Sequence, residues 1–190
     1  IGLRPGDILQ NAYGYGLPTG GFGFHYGAIK AGIMVVPIGT GQTDRQIEMI
    51  LDLGVKAVCM TPSYALYLGE RAREQGINLA VVSNLKYGLF GAEPWPEATR
   101  ARIEELLGIT AYDEFGMTEL LGPGMSCECE VRQGMHTWAD VFLVECINPE
   151  TGEPLPEGKE GELVWTWLTA DGTAMIRYRS RDLSAVWWEE

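Results

Sequence analysis

A chain of 190 residues, 46% hydrophobic and 21% charged, has enough apolar material for one domain or two small lobes with a real core. No apolar run reaches the roughly 18 residues of a membrane span, and no signal peptide opens the chain, so a membrane partner is not expected. The net charge of -12 argues against a nucleic-acid partner, because an acidic surface repels phosphate backbones, yet it leaves room for a single nucleotide in a local pocket.

"GDILQNAYG" predicts a short strand that leads into a glycine-rich loop, "YGYGLPTGGFGFHYG". "HYGAIKAGIMVVPIG" reads as a helix followed by a buried strand from Met34 to Ile38. "TDRQIEMILDLG" predicts a helix capped by Thr43 and stopped at Gly54. "VKAVCMTP" is a strand, "SYALYLGERAREQGI" an amphipathic helix, and "LKYGLFGAEPW" a strand running into a turn. "PEATRARIEELLG" predicts a helix with Pro96 near its start and Gly108 at its end. Strand and helix thus alternate up to about residue 110, which predicts an α/β fold, a mainly parallel sheet with flanking helices. Ligands on such sheets bind in loops beyond the carboxyl ends of strands. "GAEPW" and "DEFGMTE" each follow a predicted strand and are expected to face one crevice.

The last third changes character. "HTWADVFLVECINPETGEPLPEGKEGELVWTWLT" sets β-type residues between turn clusters, and "AMIRYRSRDLSAVWW" reads as two more strands around a turn. A smaller β-rich, barrel-like lobe is expected there, dividing the chain into residues 1–138 and 139–190. The four cysteines, Cys59, Cys127, Cys129 and Cys146, are not spaced as a disulfide framework, so a reducing, cytoplasmic setting is expected. Ile1 in place of methionine, and an end at "WWEE", read as a piece of a longer polypeptide.

Candidate chemistry concentrates in "AYDEFGMTELLGPG". A threonine hydroxyl at Thr118 can hydrogen-bond a phosphate oxygen, and the Glu119 carboxylate can hold Mg2+, whose other positions take phosphate oxygens and water. Phe115 offers a face for a base, and Gly116 lets a ligand approach the backbone. A solvated turn with Phe115 in the core would read the same. In "FGAEPW", Gly91 and Ala92 keep a strand end narrow while Pro94 and Trp95 fix a turn, which also describes an ordinary strand-to-helix connection. In "IRYRSRDL", Asp182 can accept from both hydroxyls of a ribose, and Arg179 and Arg181 can counter phosphate or carboxylate charge. A surface ladder of alternating charges is the other reading. The opening loop lacks the Gly-Lys-Ser/Thr pattern of a phosphate loop. It carries Tyr13, Tyr15, Phe22, Phe24, His25 and Tyr26 instead, rings that either wall a flat apolar pocket or fill the core. In "CECEVRQGMH", Cys129 and His136, with Cys127 nearby, are half of a zinc site or else a free cysteine and a surface histidine.

Taken in order, "GLPTGGFGFHYGA", "FGAEPW", "AYDEFGMTELLGPG", "CECEVRQGMH", "NPETGEPLPEGKEGELVWT" and "MIRYRSRDL" resemble the phenylacetate–coenzyme A ligase family, within the acyl-adenylate-forming enzymes. The stretches cover nearly the whole chain, and the ordered set is specific where each alone is weak. The resemblance implies part of that family's large amino-terminal domain and a two-step activity. A carboxylate attacks the α-phosphate of ATP to give an acyl-adenylate and pyrophosphate; the thiol of coenzyme A then displaces AMP. It further implies that Phe115 stands where the family usually stacks a tyrosine on adenine, with Asp113 in an adenine-contacting position and Gly91, Ala92 and Glu93 on the adenine side. Thr118 would touch phosphate, Glu119 would hold Mg2+, and Asp182 would bind the ribose hydroxyls. Tyr15, Phe22, His25 and the Gly122-Pro123-Gly124 turn would surround the ring of an aromatic carboxylic acid. Phenylalanine at position 115 keeps the stacking and loses one hydrogen bond. Some family members carry a structural Zn2+; Cys129 and His136 match two of its ligands, and the other two come from a cysteine motif beyond "RYRSRDL".

Two family features have no match here: a Ser/Thr/Gly-rich phosphate loop ahead of "GDILQ" and a lysine-bearing carboxy-terminal domain after "WWEE". The expectation is therefore part of an ATP-dependent aryl-acid–coenzyme A ligase, with little or no ligase activity as an isolated chain and, as in many family members, a homodimer. Two other readings stay open: a non-catalytic or split-enzyme nucleotide-binding module, and an adenylating ligase for a different acid and acceptor.

Overall fold

The structure, a computed structural model, describes residues 1–188. The chain divides into two compact units, Ile1–His136 and Thr137–Glu190. The first unit runs β1 (Ile8–Asn11), α1 (Gly20–Lys30), β2 (Met34–Val36), α2 (Thr43–Asp52), β3 (Ala57–Met60), α3 (Pro62–Glu74), α4 (Leu79–Val82), β4 (Tyr87–Phe90), α5 (Glu97–Leu107), β5 (Thr110–Met117) and β6 (Gly122–Glu128), followed by β7 (Met135–Thr137). The sheet order is β2-β1-β3-β4-β5-β6-β7. Strands β1 to β5 are parallel, and β6 returns antiparallel to β5.

Strand periodicity divides the core between the two faces of the sheet. In β3, Val58 and Met60 join the cluster built with Ile47 and Ile50 of α2, Leu68 of α3, Leu79 of α4 and Ile103 and Leu106 of α5. Ala57 and Cys59 join the opposite cluster, with Leu9 of β1 and Ala28 of α1. Both faces are covered, as a parallel sheet requires. Phe90 is fully buried, and its truncation to alanine would cost about 3–5 kcal/mol.

Local signals explain the helix limits. Thr61 caps α3 by accepting the Tyr64 N–H at 3.3 Å, and Pro62 occupies its first turn. Gly108 ends α5 at φ 69°, a conformation that suits glycine. Three expectations are corrected. Thr43 is the first residue of α2, not its cap; Gln42 holds the cap position, and the Thr43 hydroxyl lies 3.0 Å from that of Tyr64. The helix expected from His25 begins earlier, at Gly20 within the glycine-rich stretch, so Phe22 and Phe24 also ride on α1. Gly122-Pro123-Gly124 belongs to strand β6, not to a turn.

The second unit is a three-stranded antiparallel sheet of β8 (Phe142–Ile147), β9 (Gly161–Trp167) and β10 (Tyr178–Ser184), in the order β10-β9-β8. Phe142 and Trp165 pack edge to face at 6.0 Å in its core. The "RYRSRDL" region forms one strand with an irregularity between Arg179 and Leu183, where Arg181 adopts φ 70°. Arg179 is engaged structurally: its Nε donates to the buried Glu162 at 3.0 Å and its Nη2 to the Pro149 carbonyl at 2.8 Å. It holds the Glu162 carboxyl below its usual pKa.

Candidate functional site

Strands β4 and β5 are parallel neighbours with Phe90 opposite Asp113. The turn after Phe90 and the residues from Asp113 onward therefore leave the sheet side by side. Gly91 lies directly against Glu114: a Cβ at Gly91 would stand 2.5 Å from the Glu114 carbonyl oxygen and against its carboxyl group. Ala92 follows at φ 69°, a left-handed conformation that costs a non-glycine residue about 1–2 kcal/mol. The Glu93 carboxylate accepts the Ser63 N–H at 2.6 Å, in the first turn of α3.

Asp113 to Met117 lie within β5, and Thr118 and Glu119 are exposed in the turn that leads to β6. The "DEFGM" part is thus strand rather than a loop after one. Thr118 reaches the start of α1, where its hydroxyl accepts the Thr19 N–H at 3.3 Å. Thr19 is the cap residue of α1 but makes no side-chain capping bond. The N–H groups and dipole of a helix start favour an anion. Glu119 adds one exposed carboxylate on the same turn, which suffices for a Mg2+ bound chiefly through phosphate and water. Phe115 is half-buried on β5 opposite Ser126. Gly116 is needed by the hairpin itself: the place of its Cβ is filled by the Gly122 carbonyl and the Pro123 Cα. Pro123 in turn packs on α1, where a Cβ at Gly23 would lie 2.5 Å from its ring.

Tyr15, Phe22 and His25 come together. The Tyr15 ring meets Phe22 edge-on at 5.4 Å and His25 at 5.7 Å. The Tyr15 oxygen accepts from Asn11 Nδ2 at 3.0 Å and lies 3.1 Å from His25 Nδ1, within hydrogen-bond reach. Tyr13 instead stacks on Phe24 at 5.4 Å and donates to the Met60 carbonyl at 2.8 Å. A cleft of about 390 Å3 opens beyond the carboxyl ends of β1 and β3, lined by Tyr13, Thr40, Thr61, Ser63, Tyr64 and Tyr67 among others. Apart from Tyr13, these residues escaped the sequence reading. The available signal was their position just after successive parallel strands, together with Tyr64 and Tyr67 on one face of α3.

Buried charge supports the site from beneath. Arg100 binds both oxygens of Glu128, at 2.8 and 3.0 Å, and Glu128 Oε2 also accepts the Asp113 N–H at 2.7 Å. Burial raises the Asp113 carboxyl above its usual pKa. Burial pushes Glu114 up to about 7, against the opposing pull of the Gly124 N–H, which it accepts at 2.7 Å. On the far side of β6, Cys129 Sγ and His136 Nε2 stand 3.2 Å apart. The Val131 N–H, and after it His136, draw the Cys129 pKa down. Among the described residues no group of three or more His, Cys, Asp or Glu side chains is arranged to hold a metal. The pair alone does not fit a structural zinc, which needs four ligands. All four cysteines are free, and among the described residues no helix is long and apolar enough to cross a membrane.

Residues 19–166 match the family described as AMP-binding enzyme. The phenylacetate–coenzyme A ligase of Thermus thermophilus is 48% identical over 189 residues, 99% of this chain and 42% of that one. The phenylacetate–coenzyme A ligase of Aromatoleum evansii is 50% identical over 184 residues, 96% of this chain and again 42% of the relative. The chain thus spans less than half the length of these relatives. Among solved structures, an open conformation of 2-hydroxyisobutyryl-CoA ligase in complex with 2-HIB-AMP and CoA is 31% identical, with a TM-score of 0.92 over 97% of this chain and 41% of that one. A long-chain-fatty-acid-CoA ligase from Archaeoglobus fulgidus, 21% identical with a TM-score of 0.69 over 87% of this chain and 35% of that one, shares the fold. With that match running from α1 to the end of β9, the chain belongs to the AMP-binding enzyme family.

Proposed function

We propose that the protein is an ATP-dependent acid–coenzyme A ligase that activates an aryl-acetic acid as its acyl-adenylate, and that this chain supplies adenylate-binding residues. One observation carries the reading. A chain 46–50% identical over at least 96% of its length to phenylacetate–coenzyme A ligases sends its Gly91 turn and its Asp113–Glu119 segment out from neighbouring parallel strands.

In this reading adenine lies between the Gly91-Ala92-Glu93 backbone and the Phe115 ring, with Asp113 as its polar contact. The strained Ala92 backbone supports a binding turn there. The Thr118 hydroxyl, at the uncapped start of α1, donates to the α-phosphate as the acid's carboxylate attacks and pyrophosphate leaves. Glu119 would hold a Mg2+ whose charge offsets that of the phosphates. Asp182, in the second unit, is assigned to the ribose hydroxyls. Tyr15, Phe22, His25 and the Gly122-Pro123-Gly124 segment are assigned to the acid's ring, with the tyrosine-lined cleft as further room on that side. Coenzyme A is the acceptor, and its thiol attacks the acyl carbonyl to release AMP. Zn2+ at Cys129 and His136 would need two ligands from elsewhere, and no step uses it.

The different-acid reading keeps one support: 2-hydroxyisobutyryl-CoA ligase, named for a small hydroxy acid, is similar over 97% of the chain. A panel of carboxylic acids in a pyrophosphate-release assay on the full-length protein tests both. The proposal expects phenylacetate to give the highest kcat/KM. A preference for small aliphatic acids would replace the aryl assignment, and release that ignores the acid would sink the ligase reading.

A further inference from the structure

Glu114 has no role in the chemistry above, yet it is the least exposed carboxyl of the first unit, at 6%. Oε2 accepts the Gly124 N–H at 2.7 Å, while the carboxyl also abuts Gly91, where no Cβ has room. Glu114 therefore braces the turn after β4 against strand β6, the two backbone segments on either side of the residue before Phe115. The titratable groups that face it are Asp113 beside it, Tyr13 after β1, Cys59 on β3 and Cys127 opposite it on β6. Among the described residues no lysine or arginine is a source of its stabilisation.

We propose that Glu114 is a positioning residue of the nucleotide site that enters the nucleotide complex as the neutral acid, so that binding an anionic nucleotide takes up a proton. The inference rests on the reading of Gly91–Glu93, Phe115 and Thr118 as nucleotide contacts. A buried carboxylate with one N–H donor and no cation is weakly held. Burial already brings it to about 7 in the free protein. A phosphate at Thr118, four residues further along the chain and about 13 Å away at strand spacing, adds like charge on the same segment and moves the carboxyl further up. The protonated form then binds nucleotide more tightly, and affinity falls as pH rises from the free-state value to the bound-state one, by about tenfold in all for each unit that separates them.

The test is calorimetric titration of the full-length protein with AMP from about pH 7 to about pH 8.5, above the phosphate's second pKa of about 6, so that the ligand's charge stays constant. Buffers of different ionisation enthalpy report the proton count directly, without any variant. The expected result is partial proton uptake, at most about half a proton per AMP for a one-unit rise in the carboxyl's pKa, with an affinity loss of about fourfold across the range. Adenosine, which lacks the phosphate, should show a weaker slope. Glu114→Gln imitates the neutral acid. It should flatten the profile and bind AMP at the upper pH as tightly as the parent does at the lower, which a merely structural role would not produce. AMP binding without proton uptake would overturn the inference, and so would Glu114→Gln keeping the parent slope. Asp113→Asn removing the slope in its place would move the proton to Asp113 and overturn it equally. Absence of AMP binding at every pH would overturn the nucleotide reading itself.

Discussion

Removing the Glu128 carboxylate should destabilise the first unit by about 3 kcal/mol, towards the lower end of what breaking a buried ion pair costs. The side chains of Arg100 and Glu128 are 10% and 7% exposed. The guanidinium binds both carboxylate oxygens, and the same carboxylate accepts the Asp113 N–H at 2.7 Å. Glu128→Ala would leave that N–H and two guanidinium donors without acceptors; each unsatisfied buried group costs about 1–3 kcal/mol. The loss is tempered because Arg100 keeps the Ala111 carbonyl at 2.6 Å, the exposed Glu97 at 3.0 Å and the face of Trp95 at 4.6 Å. Urea unfolding followed by tryptophan fluorescence would measure it; at a slope of about 2 kcal/mol per molar, the midpoint should fall by about 1.5 M. The paired change Arg100→Met with Glu128→Leu should recover part of the loss, the share due to the stranded guanidinium, while the Asp113 N–H and the Ala111 carbonyl stay without these partners. A single variant that loses less than about 1 kcal/mol, or a double variant no better than the single, would refute this account of the strand's anchoring.

Further outcomes test the site in the full-length protein. Glu119→Gln should weaken Mg2+-dependent ATP binding more than AMP binding, because it removes charge at the metal. Asp182→Ala should weaken both alike, and unchanged AMP affinity would withdraw the ribose assignment. Gly91→Ala should destabilise by about 1–3 kcal/mol through its collision with Glu114; a melting curve matching the parent's would show that the turn yields freely. Glu114 binds its proton more tightly folded, at about 7, than unfolded, at about 4.3, so between those values the native state holds more protons and stability declines as pH rises. Glu114→Gln should therefore be more stable than the parent at about pH 8, by up to about 4 kcal/mol, and equal to it at about pH 4. Parallel stability curves would contradict the burial argument.

Elements with their own punctuation were legible in the sequence. Strands β3 and β4 are short apolar runs before Pro62 and Pro94, and α3 and α5 carry a cap, a proline or a terminal glycine. The start of α1 was not legible, because Gly20, Gly21 and Gly23 are poor helix formers whose presence is explained only by close packing, as of Gly23 on Pro123. The last stretch reads as two strands where the structure has the single strand β10, whose pairing is irregular between Arg179 and Leu183. For the site, hydroxyl and carboxylate chemistry marked Thr118 and Glu119. The burial of Glu114 and the tyrosine-lined cleft needed the tertiary structure, which brings Gly91 against Glu114 and Thr40 beside Thr61. A reading by neighbours along the chain cannot supply such pairings.

The central claim is that the protein forms an acyl-adenylate. The most direct measurement incubates the full-length protein with ATP, Mg2+ and phenylacetate in the absence of coenzyme A, followed by acid quench and mass spectrometry. Phenylacetyl-AMP and pyrophosphate should form in equal amounts, and both should be lost on Glu119→Gln. ATP cleaved to ADP, or no adenylate with any acid offered, would contradict that claim.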